Sequence, residues 1–144
     1  MRKGNKFEAE IKKVLDWVNA SGGHAHKNNP NRTIDGIFVS GEPFDFEIFY
    51  KNYHACFDAK EIKGDTWHLL KKDIVQAENL KHCKNNGLRA FFLIFNNNKV
   101  KQLDVDSVVE HLKQNKKSLK LDNLPEWDFL KYIGGEINYD NRTN

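Results

Sequence analysis

The chain has 144 residues, 39% hydrophobic, 12% aromatic and 30% charged, with a mean hydropathy of −0.73; it has the size of one ordinary domain and enough apolar side chains for a core, which argues against disorder. No apolar run nears the ~20 residues a membrane-spanning helix needs, and Met1-Arg-Lys-Gly-Asn-Lys6 leads into charged sequence rather than the apolar stretch of a secretion signal. With 23 Lys and Arg against 20 Asp and Glu, the net charge of +3 does not by itself announce a nucleic-acid binder, and the lysine clusters read first as solvated helix faces.

Residues 5–19 read as a helix, because Phe7, Ile11, Val14, Leu15 and Val18 recur three and four apart. Ser21-Gly22-Gly23 ends it, and His26–Arg32 reads as a polar loop. Strands are expected over 33–39, 44–50 and 54–62, with a turn at Gly41–Pro43 and a hairpin tip at Lys51-Asn52. A second helix is expected from Trp67 to Lys84, with Leu70, Ile74, Ala77 and Leu80 as its apolar face and Asn85-Asn86-Gly87 as its close. The continuous apolar run from Arg89 to Phe95 suggests a strand covered on both faces. Asn96–Asn98 turns the chain into a further strand near 99–105, and Asp106-Ser107 caps a helix to about Gln114. A short helix is expected near 126–132 and a frayed tail over 134–144.

The order is that of an α/β fold, a mixed β-sheet flanked by helices, whose first three strands form a meander. The expectation is a single domain over 1–144 with its core in about 4–114. Cys56 and Cys83 match no metal or disulfide spacing, and the histidines show no zinc-type spacing. A reducing cytoplasm fits best.

The chemistry is concentrated in Cys56-Phe-Asp-Ala-Lys-Glu-Ile62. Alternation along a strand puts Asp58 and Lys60 on one face, with Phe57 and Ala59 on the other. Asp35 is an isolated acid in an otherwise apolar run, and such an acid is rarely buried unless paired or bound to metal. If the two strands are neighbours, Asp35 and Asp58 converge, and two carboxylates suit Mg²⁺, which prefers hard oxygen ligands. Lys60 beside them would assist an attacking water or stabilise a developing oxyanion. On the first helix Glu8 and Glu10 occupy opposite margins of the apolar stripe, and periodicity does not choose between them. Gln76 sits at the margin of the second helix. Trp67 reads as core packing more than as a base-stacking group.

These residues resemble the PD-(D/E)xK nuclease superfamily and, within it, RecU-type Holliday junction resolvases. The resemblance runs through Gly4-Asn-Lys-Phe-Glu8, His26-Lys27 with Pro30, Thr33-x-Asp35-Gly36, Phe57-Asp-Ala-Lys-Glu61 and Gln76, over about residues 4–105. Asp58 stands where such resolvases more often carry Glu, Ile34 precedes Asp35 in place of Pro, and the segment from His26 to Asp35 is short.

The resemblance implies a restriction-endonuclease-like core in αβββαβ order and a Mg²⁺-dependent DNA endonuclease, with Mn²⁺ as a substitute ion. Asp35, Asp58 and Glu8 would be metal ligands, Lys60 would assist the nucleophilic water, and Gln76 would support the site. The expected DNA contacts are Lys3, Lys6, Lys27, Arg32, Lys63, Lys71 and Lys72. The implied substrate is branched DNA, chiefly four-way junctions cut on opposed strands by a homodimer with no membrane partner, in a bacterial or phage-infected cytoplasm. The alternatives are another small nuclease of this superfamily, acting on flap, branched or single-stranded DNA, and a non-catalytic DNA-binding module of the same fold.

Overall fold

The stripe expected on the first helix, α1 (Asn5–Ala20), is buried as a unit, with Phe7, Ile11, Val14, Leu15 and Val18 all closed to solvent. The structure, a computed structural model, describes residues 5–28, 31–32, 38–39 and 45–134. The stripe of α1 packs on a five-stranded sheet of β1 (His24–Lys27), β4 (Phe46–Tyr50), β5 (Tyr53–Glu61), β7 (Arg89–Asn96) and β8 (Lys99–Asp104), in that spatial order. β1, β4 and β5 form an antiparallel meander, β5 and β7 run parallel, and β8 returns antiparallel to β7. A parallel pair cannot be joined by a tight turn, and α2 (Lys71–Asn85) makes the crossover.

Alternation along β7 explains its unbroken apolar run. Phe91, Leu93 and Phe95 join the core under α1, while Ala90, Phe92 and Ile94 join a second core under α2 and α3 (Val105–Lys113). The two-faced covering expected for this strand is what the fold contains. No helix among the described residues is long and apolar enough to cross a membrane.

Several boundaries differ from the sequence reading. The meander of the described residues opens with β1, and of the strand expected over 33–39 only Phe38–Val39 is described. β1 carries a single inward apolar residue, Ala25, which the Asn19 amide clamps by hydrogen bonds of 2.9 and 3.0 Å to its N–H and carbonyl. One apolar residue in four leaves no alternation to read. Phe38–Val39 (β3) pairs instead with Asn31–Arg32 (β2) in a two-residue ribbon. Residues 33–37 and 41–43, including Asp35, lie outside the described residues.

α2 begins at Lys71, not Trp67, because the Asp73 carboxylate accepts the Leu70 N–H at 2.9 Å and closes the first turn there. Its inward residues are Asp73, Ala77, Leu80 and Cys83; Leu70 is exposed and Ile74 half-buried. Trp67 lies in β6 (Thr66–His68), paired with β9 (Ser118–Lys120), and packs edge-on against Phe92 in the second core. The N-cap of α3 is Asp104, which accepts the Asp106 N–H at 3.0 Å, so Asp106-Ser107 lies inside the helix.

The core also extends past residue 114. Leu119 and Leu121 enter the second core, and Trp127, Phe129, Leu130 and Ile133, on and around α4 (Asp128–Tyr132), enter the first.

Candidate active site

The β4–β5 hairpin assembles the site. Its two-residue tip, Lys51-Asn52, aligns Tyr50 with Tyr53 and Phe46 with Phe57. The next rung places Asp45 against Asp58. The Asp45 N–H donates to Asp58 Oδ1 at 2.7 Å. Asp58 is 1% exposed, and its Oδ2 is buried without a hydrogen-bond partner.

Two carboxylates held this closely cannot both ionise cheaply. Burial, and next the charge of Asp45, push the Asp58 carboxyl up to about 7, against the opposing pull of the Asp45 N–H and of Lys60.

Asp58 and Lys60 lie on the α2 face of β5, since Phe57 and Ala59 pack into the α1 core. Lys60 Nζ is 3.0 Å from Asp73 Oδ1, and both side chains are largely buried. Asp73 thus orients Lys60 with one oxygen and closes α2 with the other. One turn on, Gln76 presents a buried Oε1 with no hydrogen-bond partner. This face of the hairpin and helix therefore carries two carboxyl groups, an unpartnered amide oxygen and a lysine fixed by a third acid. The donor set is oxygen-rich and hard, which fits a Mg²⁺-type cation. The Asp58 Oδ2 without a donor is the specific mark of that fit, because a buried acceptor left unmatched is costly unless something binds it.

The remaining sequence candidates fall as follows. Glu8 is exposed on α1, its carboxylate 3.9 Å from Lys27 Nζ, at the end of β1 beside the start of β4. Glu10 points the other way, with a buried, unpartnered Oε2, into a cleft of about 520 Å³ lined also by Lys6, Phe95, Lys101, Asp122 and Glu126. Lys6, Lys27, Lys63, Lys71 and Lys72 are exposed. Lys3 and Asp35 lie outside the described residues, and Arg32 is described only as part of β2. Among the described residues no three His, Cys, Asp or Glu side chains converge as a ready metal cluster.

Sequence reasoning missed Asp45 and Asp73, and a signal existed for each. Reflecting Asp58 through the two-residue tip at Lys51-Asn52 lands on Asp45. Asp73 is in helical phase with Ala77 and Leu80, an acid where a core residue is expected.

A family model described as RecU, Recombination protein U, matches residues 3–140. Among solved structures, that of Archaeoglobus fulgidus Hjc, a Holliday junction resolvase from an archaeal hyperthermophile, superposes with a TM-score of 0.46 at 18% identity, covering 73% of this chain and 75% of that one. No curated protein matches the chain.

Proposed function

The chain belongs to the RecU family, and from that premise we propose that it is a metal-dependent endonuclease that resolves four-way DNA junctions. The observation that carries the reading is the Asp45–Asp58 pair, a buried Asp58 carboxyl with one oxygen left without a donor and a half-buried Asp45 held against it. Asp45 and Asp58 would hold a divalent ion, Mg²⁺ or Mn²⁺, with Gln76 Oε1 at the margin and Glu8 as a further acid approaching from the β1 side. When bound, such an ion supplies Lewis-acid activation of water and charge neutralisation at a phosphodiester.

The chain's own residues supply the rest. Asp58, whose carboxyl is pushed up by burial and the charge of Asp45, would give up its proton to bind as a carboxylate. Lys60, pinned by Asp73, presents a fixed positive charge beside them and stabilises negative charge that develops on the phosphate oxygens. Its position is set by a buried partner rather than by solvent, so little reorganisation is needed as that charge grows. The exposed Lys6, Lys27, Lys63, Lys71 and Lys72, together with Lys3 and Arg32, would meet the DNA backbone. A two-fold homodimer would place two such sites on the opposed strands of a junction.

The test is to incubate the protein with Mg²⁺ and labelled four-way junction, flap, duplex and single-stranded DNA. Paired symmetric cuts confined to the junction are expected. Cutting of flaps or single strands alone would assign a different branched-DNA nuclease, and binding without cutting a non-catalytic module. Asp45→Asn should reduce cutting as severely as Asp58→Asn, with Asp35→Asn as the comparator; full activity of Asp45→Asn would return the second ligand to Asp35. Glu8→Gln is expected to impair cutting more than Glu10→Gln.

A further inference from the structure

The face of the sheet that carries Asp58 continues past the carboxyl pair onto β4 and β1. Ala25, Phe46, Ile48, Tyr50, Ala55 and Phe57 all turn into the α1 core, so the alternate residues His24, His26, Glu47, Phe49 and His54 share the opposite face with Asp58. The register orders them in rows. His26, Glu47 and Cys56 are aligned beside the Asp45–Asp58 rung, and His24, Phe49 and His54 form the row beyond.

α2 and α3 pack on β5, β7 and β8. The three histidines remain exposed and Phe49 half-exposed. Their rings run as a ladder: His26 to His24 at 6.2 Å and 19°, His24 to Phe49 at 6.0 Å, and Phe49 to His54 at 5.3 Å. Imidazole and phenyl rings left in solvent on a sheet, within reach of a cleavage site, need an account.

We propose that this four-ring ladder is a stacking platform for unpaired nucleobases of the DNA strand that enters the carboxyl site. Three observations favour bases over phosphates or a duplex backbone. The ladder contains no lysine or arginine; Lys27 faces the α1 side, near Glu8, and Lys51 lies over the Tyr50 ring. Its one acid, Glu47, is engaged by His24 Nε2 at 3.0 Å, which holds that imidazole in place. A ladder with a carboxylate and no lysine or arginine of its own offers phosphate little, whereas π-faces accept any base whatever its sequence. The platform is also continuous with the site, so a base lifted from its stack at a branch point would rest one rung from the carboxyl pair. The inference builds on the nuclease reading and adds a substrate feature to it, locally unpaired DNA.

The experiment measures binding without cutting, in Ca²⁺ buffer, to an oligo-dT strand, a fully paired duplex and a four-way junction carrying 2-aminopurine at the crossover. Phe49→Ala and Phe49→Leu, and likewise His24→Ala and His24→Gln, are compared with the unaltered protein; the second of each pair fills space without a ring. Each is expected to lose about tenfold in oligo-dT affinity and to lose the 2-aminopurine fluorescence change, with duplex affinity and the melting temperature held. Unchanged oligo-dT affinity in all four variants overturns the proposal. So does a shift from dimer to monomer in sedimentation with DNA preference intact, which would give this face to a second copy of the chain. Failure of the nuclease reading shows up separately, as no Mg²⁺-dependent cutting of any DNA by the unaltered protein.

Discussion

Asp58 is the acid in the site on which burial and charge act together. Its carboxyl is raised to about 7, first by burial and then by Asp45. The folded state therefore holds the proton more tightly than the unfolded chain, and the sign follows. In metal-free protein the contribution of Asp58 to stability is full below the ordinary carboxyl range and is lost as pH rises towards 7. Urea denaturation between pH 4.5 and 8 should show that decline. Asp58→Asn should flatten it and make the metal-free protein more stable at pH 8 by about 1–3 kcal/mol, while abolishing both cleavage and any rise in melting temperature on adding Mg²⁺. Lys60 and Asp73 behave oppositely, because each is the other's buried partner. Asp73→Asn keeps an acceptor for the Leu70 N–H but strands the lysine charge, so a loss of about 3–5 kcal/mol is expected. Lys60→Met in the Asp73→Asn background should recover most of it; additive losses in the double-mutant cycle would show that the two do not interact.

The handover from α1 to β1 is tight at Gly23. A Cβ on Gly23 would stand 2.7 Å from the Phe49 carbonyl oxygen and 2.7 Å from Val18 Cγ1, whereas Gly22, at φ +94°, has nothing within 4 Å. Gly23→Ala should cost about 1–3 kcal/mol through that overlap, more than Gly22→Ala, whose cost is only about 1–2 kcal/mol of left-handed backbone strain. Thermal melts of the pair check the order. This junction was legible only in part. The sequence marks the end of α1 by its Gly pair, but β1 offers one buried residue and no periodicity. By contrast α1 and β7 could be read directly, since a long stripe and a long apolar run each have one reasonable packing. Asp58 and Lys60 were equally legible as one face of a strand. Their partners were not: Asp45 requires the hairpin register, and Asp73 requires reading an acid as an inward helical residue. β6 and β9 are three residues each and pair across a long stretch of chain, a contact that local pattern does not reveal.

At the scale of the whole molecule, the chain closes its core late. After α3 it returns along β8, where the Gln102 N–H donates to the Pro125 carbonyl at 2.9 Å and the Asp128 N–H to Gln102 Oε1 at 2.8 Å. Asp128 accepts the buried Tyr53 hydroxyl and pairs with Arg89 at 3.1 Å, whose guanidinium lies over the Tyr53 ring. Trp127 is fully buried against Phe57. Trp127→Ala should therefore cost about 3–5 kcal/mol. Because Trp127 Nε1 has no hydrogen-bond partner, Trp127→Phe should cost clearly less, a ranking that denaturant titration can test. If Trp127→Ala is silent, the C-terminal return is ornament and not core.

The two-residue tip of the β4–β5 hairpin has one more consequence. Residues opposite one another across a hairpin share a face, so the meeting of Asp45 and Asp58 is fixed by how many residues separate them and by where the turn closes. One residue gained or lost in the hairpin, with the turn closing again on two, would send the acids to opposite sides of the sheet while leaving every hydrogen bond of the ladder available. The site is thus written in chain length as much as in residue type: a change of one in the count of residues between the two acids undoes it, although both acids remain.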